Sequence, residues 1–139
     1  MAKVKVMLDE GAQMPTRAHE ADAGYDIYSP VDRKIKAKGH TKIDTGLHIQ
    51  IPLGYTGFLK SRSGLNIKFC VTTEGVIDSG YTGSIVVKLY NNRDRDYYVS
   101  RGDKIAQLVL LPIFTPELEL AESLDESERG DNGFGSTGR

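Results

Sequence analysis

A chain of 139 residues is long enough for one domain with a substantial core and too short for two. The 18 Lys and Arg residues nearly balance the 19 Asp and Glu residues, and like charges form no long run, so nucleic acid is not expected as a partner. The lone Cys70 cannot form an internal disulfide, and no stretch approaches the roughly 18 apolar residues of a membrane helix, so we expect a cytoplasmic protein with no membrane partner.

The N-terminal half of the chain predicts short strands separated by glycine and proline. Val4, Val6 and Leu8 alternate with more polar positions, which indicates a half-buried first strand. Further strands are predicted over 21–30, 34–36, 41–51 and 55–61. Residues 63–68 are the one segment that predicts a turn or two of helix. Cys70 follows in an apolar run and is expected to be buried.

The stretch 72–91 predicts a β-hairpin. It has a strand-like start, a bend rich in Gly and Ser, and a second strand over 84–90 whose β-branched and aromatic residues suit a sheet. Asp78 and Tyr81 lie at the bend, where a carboxylate can orient a water molecule and a ring can carry a sugar or a base. The plainer alternative is an Asx-type turn with a tyrosine packed on the surface.

The C-terminal third contains the most apolar run of the chain. Residues 103–114 predict a long central or interface strand, and the consecutive apolar side chains from Leu108 to Leu111 indicate that both of its faces are covered. Many short strands with turn signals between them are typical of an all-β sandwich or barrel. Beyond Pro116 the chain becomes acidic and then glycine-rich, which taken alone predicts a disordered terminus.

Two segments carry groups that suit phosphate. The run 61–64, Ser-Arg-Ser-Gly, sets a guanidinium fork beside an open backbone that lets main-chain amides approach an anion; a polar turn is the alternative. The tail 133–138, with Arg129 upstream, offers similar groups but lacks the lysine and the spacing of a P-loop. Phe134 stands alone among glycines there, and a ring without packing partners gains nothing unless it closes on something.

Other polar residues give weaker signals. Asp103 and Gln107 are predicted to share one face of a strand, where an edge or interface hydrogen bond is the plain interpretation. The histidines are too scattered for a zinc site. Asp26 is the one inward-pointing candidate for chemistry on its predicted strand.

Five segments taken in order carry far more information than any one of them. They read A-G-Y-D-I, S-R-S-G, G-V-I-D-S-G-Y-T-G, R-G-D-K-I-A-Q-L and R-G-D-N-G-F-G-S-T-G. In sequence and spacing this series resembles the five motifs of the trimeric dUTPase family. The resemblance extends from Ala21 to Gly138, which is nearly the whole chain.

The resemblance implies a fold, an assembly and a reaction. The fold is all-β, a distorted jelly roll or β-barrel of the β-clip type with at most one short helix, in a homotrimer whose active sites are shared between subunits. Residues 1–122 would form the barrel domain and residues 123–139 a flexible C-terminal arm. The reaction is the Mg²⁺-dependent hydrolysis of dUTP to dUMP and pyrophosphate, which controls the dUTP level and supplies dUMP for thymidylate synthesis.

The motifs also imply a role for each matching residue. Asp78 would activate the water that attacks the α-phosphorus, and Tyr81 would lie under the deoxyribose. Asp26 would organise the metal through water, whereas Asp103 is expected to be structural. The uracil would be bound around Thr72, Gly75, Val76, Ile77 and Val86. The phosphates would be held by Arg62, Ser63, Gly64 and Gln107. The tail would close over the substrate as a lid through Arg129, Phe134, Gly135, Ser136 and Thr137.

Two departures and three alternatives accompany this assignment. Many relatives carry an acidic residue where Gly80 stands and a glycine where Asn132 stands; Gly80 is expected to make the bend more flexible, and Asn132 to keep the turn of the tail. The related dCTP deaminase branch shares the fold. A nucleotide-gated binding protein without turnover and an all-β structural or capsid-like module are the alternatives from other classes.

Overall fold

A computed structural model describes residues 2–138, which contain eleven strands and one short helix. The strands are β1 Lys5–Leu8, β2 Gly24–Tyr28, β3 Arg33–Ile35, β4 His40–Asp44, β5 Leu47–Gln50, β6 Tyr55–Lys60, β7 Val71–Thr72, β8 Glu74–Ile77, β9 Val86–Asn91, β10 Tyr97–Val99 and β11 Lys104–Pro112. The helix is α1, Ser63–Phe69. The predicted all-β class with a single short helix is therefore confirmed. At seven residues, α1 is far too short to span a membrane.

The largest sheet has four antiparallel strands in the order β2-β11-β6-β8. The predicted long strand, β11, lies inside this sheet, with β2 on one side and β6 on the other. Gln107 of β11 is in register with both Asp26 of β2 and Lys60 of β6. Three polar side chains are thus aligned across three neighbouring strands at one end of the sheet.

The core is aliphatic and draws on every sheet. A three-stranded sheet, β4-β9-β7, and two strand pairs, β1-β5 and β10-β3, complete the fold. The most deeply buried large side chains are Ile27, Ile35, Ile43, Leu47, Ile85, Leu89, Ile105 and Leu108. Full burial of one such side chain contributes about 1.5–3 kcal/mol to the free energy of folding. On β11 Leu108 is buried but Leu111 is only half-buried, so the expectation that both faces are covered is met only in part within this subunit.

The single strand predicted over 41–51 is two strands in two different sheets. The chain turns at Gly46, whose φ of +68° lies in the left-handed region that glycine tolerates best. The Thr45 hydroxyl donates to the carbonyl of Ile85 at 2.6 Å and fixes this corner. β4 therefore pairs with β9, while β5 pairs with β1.

The hairpin predicted over 72–91 is paired only at its base. β7 is in register with the C-terminal end of β9, but β8 leaves that sheet and pairs with β6. The second strand begins at Val86 and not at Ser84. The correction has a consequence for function, because the bend at 78–84 joins strands of two different sheets.

The burial predicted for Cys70 is wrong. This residue is the C-cap of α1, with a left-handed φ of 52°, and its N–H donates to the carbonyl of Asn66 at 3.0 Å. A C-cap lies where the chain leaves the helix, and the thiol is exposed there. The apolar neighbours Phe69 and Val71 misled the prediction, since only Val71 of the two is fully buried.

Candidate active site

A cationic pocket forms at the end of the four-stranded sheet where Gln107 lies. Asp26 accepts from Nε of Arg62 at 3.1 Å, and its other oxygen lies 3.2 Å from Nζ of Lys104. Its carboxylate is only 16% exposed. Two cations surround this one carboxylate, and we name the pocket after them, although Asp22 also lines it and balances the second charge. The pocket beside it is lined also by Ser63 and Gln107, and this arrangement suits phosphate oxygens.

Gln107 is held in place by two neighbours. Its Nε2 donates to the carbonyl of Ser61 at 2.9 Å. Its side chain lies across Gly24, where a Cβ atom would be 2.2 Å from Oε1. Gly64, in the first turn of α1, has open space at its Cβ position.

The bend at 78–84 begins with a tight turn. The N–H of Tyr81 donates to the carbonyl of Asp78 at 3.2 Å, and Gly80 has a φ of +89°. Since that φ favours glycine, the glycine that this chain has at position 80, where many relatives have an acidic residue, suits the turn. The Asp78 carboxylate is exposed, so it is open to a water molecule and to substrate.

Tyr81 is braced by the bend and still open on one side. Its hydroxyl donates to the carbonyl of Ser84 at 2.8 Å, and its ring lies so close to Gly83 that a Cβ atom there would be 2.6 Å from the hydroxyl oxygen. The residue is 46% exposed. A ring that is fixed at its edge and exposed on a face can stack on a sugar.

Hydrogen bonds from neighbouring strands anchor the rest of the bend. The Ser84 hydroxyl donates to Asp44 of β4, and this bond, followed by the N–H of Gly46, lowers the pKa of Asp44 below its usual value of 3.8. The carbonyl of Thr82 lies 2.7 Å from Nδ1 of His48. The bend is thereby tied to β4 and β5.

Four of the residues predicted to bind uracil lie on β8 and β9 on either side of the bend, whereas Thr72 on β7 is opposite Tyr90 at the far end of β9. Val76 and Val86 are 61% and 44% exposed, which is unusual for valine in a sheet and leaves apolar surface for a flat ring. Gly75 packs against Leu59 of β6, where a Cβ atom would be 3.2 Å from a methyl carbon. Thr72 accepts a hydrogen bond from Asn92 at 3.3 Å. Ile77 completes the set at the end of β8.

The cationic pocket and the bend lie at opposite ends of the same strand pair. At one end of the pair Ile77 is opposite Gly57, so Asp78 comes next to position 56. At the other end Glu74 is opposite Lys60, and Arg62 follows two residues later. Six residues of extended strand, from 56 to 62, span about 20 Å. The main chains of Asp78 and Arg62 are therefore separated by roughly this distance along the strand pair.

The glycine-rich tail packs little on its own subunit. Arg129 donates to the carbonyl of Asn132, which closes a small turn in the tail. Phe134 is fully exposed with a φ of 46°. Residues 135–137 are exposed as well. The tail is thus brought to neither the cationic pocket nor the bend.

The structure adds residues that the sequence argument missed. Lys104 is part of the fourth motif, and its charge at the start of an apolar strand was a usable signal. His48 gave no such signal, because its partners Thr82 and Asp9 are 34 and 39 residues away in the chain. Within residues 2–138, no group of three or more His, Cys, Asp or Glu side chains could hold a metal ion directly.

Comparison with known proteins decides the family. A family model described as dUTPase matches residues 10–138. The chain belongs to the dUTPase family. The deoxyuridine 5'-triphosphate nucleotidohydrolase of Eremothecium gossypii is 46% identical over 138 residues, which cover 97% of this chain and 90% of that protein. The predicted family and enzyme class, dUTP diphosphatase, are confirmed, and neither the nucleotide-gated alternative nor the dCTP deaminase branch is favoured.

Solved dUTPase structures match the fold over most or all of the chain. A structure of the Staphylococcus bacteriophage 80alpha dUTPase with dUPNHPP, a dUTP analogue, has a TM-score of 0.95 and 34% identity, and covers 100% of both chains. A mutant dUTPase from phage phi11 of S. aureus has a TM-score of 0.83 and 35% identity over 88% of this chain and 98% of that one. That structure is described as revealing the coordination of a structural Mg(II) ion.

Proposed function

We propose that this dUTPase hydrolyses dUTP to dUMP and pyrophosphate, with Asp78 as the general base. The observation that carries the proposal is the family match over residues 10–138, which includes every residue that is given a role at the site below. Asp78 is exposed on a short, anchored turn, and a fixed carboxylate that orients a water molecule contributes both proximity and proton transfer. In a cell the reaction lowers dUTP and supplies dUMP for thymidylate synthesis, and the exposed thiol of Cys70 suits a reducing, cytoplasmic compartment.

We further propose a homotrimer in which each active site is assembled from neighbouring subunits. The distance of about 20 Å between Asp78 and Arg62 along the β6-β8 pair argues against a site within one chain. The bend of one subunit would meet the cationic pocket of the next. Phe134 is fully exposed among residues 2–138, which fits a tail that crosses to a site elsewhere in the trimer.

The cationic pocket would bind the triphosphate. Arg62 and Lys104 supply the charge, and Gln107 supplies a neutral donor, since phosphate oxygens accept charge-assisted bonds most strongly. Ser63 and the open backbone at Gly64 complete the contacts. Binding of phosphate would compete with Asp26 for the two cations, so the ion pairs of Asp26 are expected to loosen when substrate arrives.

The base and the sugar would be selected at the bend. Uracil would meet the main chain of Gly75 to Ile77 and the exposed valines 76 and 86, with a water molecule near Thr72. Fixed main-chain donors and acceptors that match uracil leave unpaired groups against cytosine, and this is a strong form of discrimination. Tyr81 would lie under the deoxyribose, where a ribose 2′-hydroxyl leaves too little room.

Mg²⁺ fits this site in an indirect role. Asp26 is one of two carboxylates that line the cationic pocket, with Asp22, and both oxygens of Asp26 already face cations. It would therefore contact the ion through water, while the triphosphate oxygens hold the ion directly. When bound, Mg²⁺ neutralises developing charge on the phosphates. The residues of the chain position the triphosphate and the attacking water.

The tail would act as a lid. We propose that residues 1–122 form the barrel domain and that residues 123–139 form the C-terminal arm. Phe134 would stack on uracil, and Arg129 would reach the γ-phosphate. Gly135, Ser136 and Thr137 would cover the phosphates. Closure of such a segment excludes water and completes the site.

The reaction is tested by measuring pyrophosphate release from dUTP, dCTP, dTTP and UTP in parallel, with Mg²⁺ and then with a chelator. Turnover confined to dUTP and lost with the chelator supports the assignment. Deamination of dCTP would move the chain to the sister branch. Tight dUTP binding without product would contradict hydrolysis.

The shared site is tested by mixing two inactive variants. Asp78→Asn and Arg62→Ala subunits are unfolded together, refolded at equal ratio and assayed. If one site needs Asp78 and Arg62 from different subunits, random trimers restore about a quarter of wild-type activity, because each residue is intact in half of the positions. Mixtures as inactive as the separate variants would place both residues in one chain and contradict sharing.

A further inference from the structure

His48 lies outside the residues assigned to the substrate, yet it contacts the bend that carries Tyr81. It is on β5, opposite Met7 of β1, and its side chain is only 18% exposed. Nδ1 lies 2.7 Å from the carbonyl oxygen of Thr82. Nε2 lies 3.0 Å and 3.1 Å from the two carboxylate oxygens of Asp9. Each ring nitrogen therefore faces an oxygen acceptor.

Two acceptors require two donors. A neutral imidazole has one N–H and one lone pair, so in that form one contact sets a lone pair against an oxygen. The imidazolium donates from both nitrogens and satisfies Thr82 and Asp9 together. We propose that protonated His48 is a positioning residue, which holds the 78–84 bend in the geometry in which Tyr81 receives the deoxyribose. The inference rests on the role proposed above for Tyr81.

Two carboxylates near the ring favour its protonated form. Asp9 lies in the segment after β1, and Asp44 lies at the end of β4. The cation of Lys5 lines a surface groove together with His48 and Thr82. The Thr82 carbonyl first, and the Asp9 carboxylate next, raise the pKa of His48 above its ordinary value of 6.5. Because this pKa is raised, the contact is fully present below pH 6.5 and is lost as the pH rises through the folded value.

The position of Thr82 in the chain explains why the hydrogen bond to its carbonyl affects the ring of Tyr81. Thr82 directly follows Tyr81, and the Tyr81 hydroxyl is tied to Ser84 two residues further on. When His48 loses its proton, the peptide group that joins Thr82 to Gly83, one residue after Tyr81, loses a charged donor and is freer to rotate. Since Tyr81 contacts the sugar in the ground state and the transition state alike, the loss changes KM for dUTP more than kcat.

The kinetic test compares pH profiles of four full-length chains. These are wild type, His48→Gln, Asp9→Asn and the control His40→Gln, whose ring lies on β4 against Tyr90. Dividing each variant's KM by the wild-type KM at the same pH removes the part of the pH dependence that comes from protonation of dUTP and from its binding of metal. In wild type we expect KM to rise about three- to tenfold above neutral pH, the range of one ordinary hydrogen bond, with a smaller change in kcat.

The variants separate a charge-dependent role from a merely structural one. His48→Gln should have a high KM at every pH and lack the rise. Asp9→Asn should move the rise to lower pH, because it removes a carboxylate that raises the pKa of His48. His40→Gln should follow wild type. A KM ratio of His48→Gln to wild type that does not change with pH, or an unmoved rise in Asp9→Asn, overturns the proposal.

A measurement without turnover keeps the inference separate from the proposed function. The His48 ring and the Thr82 carbonyl carbon of the wild-type chain are followed by NMR as the pH is raised. Both signals should shift with one midpoint above 6.5, and different midpoints would overturn the coupling. If Tyr81→Ala leaves KM unchanged, the role of Tyr81 is wrong, and the NMR titration decides the His48 contact independently.

Discussion

Gly24 lies against the side chain of Gln107 so closely that a Cβ atom on Gly24 would be 2.2 Å from Oε1. The two residues are on adjacent strands, β2 and β11, next to Asp26. The absence of a side chain at position 24 lets Gln107 lie flat along the sheet and donate to the carbonyl of Ser61. The shape of the cationic pocket therefore depends on a residue with no functional group.

Gly24→Ala is expected to lower kcat/KM for dUTP at least tenfold, a change of about 1.4 kcal/mol in transition-state stabilisation. The added methyl group displaces the Gln107 amide from its place in the pocket. The double variant with Gln107→Ala separates this cause from a general loss of folding. If the effect is transmitted through Gln107, the double variant is no worse than Gln107→Ala alone, and simple additivity would contradict it.

Gly83→Ala is expected to raise KM for dUTP and to weaken discrimination against UTP. A Cβ atom at position 83 would lie 2.6 Å from the hydroxyl oxygen and 2.7 Å from Cζ of Tyr81, so the ring must leave its position. Tyr81→Phe keeps the ring and loses only the bond to Ser84, and it should affect both substrates much less. The measurement is the ratio of kcat/KM for dUTP to that for UTP, and an unchanged ratio in Gly83→Ala would contradict the role of the ring.

Asp78→Asn is expected to retain substrate binding and to lose about 10²–10⁴ of turnover, the range typical of a general base. Asparagine keeps the shape of the side chain but cannot take a proton. Binding is measured by calorimetry with a non-hydrolysable dUTP analogue, and turnover by pyrophosphate release. The matched control is Asp94→Asn, since the Asp94 side chain is 95% exposed and pairs only with Lys38 in the described chain. Turnover equal to that of the control would remove Asp78 from the base position.

Asn91→Ala is expected to destabilise the subunit by about 2–4 kcal/mol. Asn91 is 1% exposed, and its amide donates to the carbonyls of Ile35, Lys36 and Arg95. Alanine removes this donor from all three carbonyls, although that of Lys36 keeps a second donor, the N–H of Gly39, and it adds a small cavity. Thermal and urea unfolding measure the change. Asn92→Ala is the control, because Asn92 is exposed, and equal losses in the two variants would contradict the importance of burial.

The sequence was most informative where function depends on local order. Short stretches whose residue types indicate their structure were found where predicted. They are the turn around Asp78, the Arg62 segment and the central strand β11. The pairing of β8 with β6 instead of β9 was not predictable, because a four-residue strand with a glycine inside it carries little local signal for its partner. His48 was missed for the same reason, since its contacts join positions 34 and 39 residues apart.

Removal of residues 129–139 is expected to leave a folded protein with little dUTP turnover. Phe134 is fully exposed, so its removal takes nothing from the core and the unfolding temperature should stay close to that of the full chain. Activity should fall because the lid no longer excludes water or covers the phosphates. Phe134→Ala should reproduce part of the loss, whereas Leu124→Ala, which removes another exposed apolar side chain upstream of the motif, should not. Full turnover in the truncated chain would mean that the site closes without the tail, and a large fall in unfolding temperature would mean that the tail is a structural element instead of a lid.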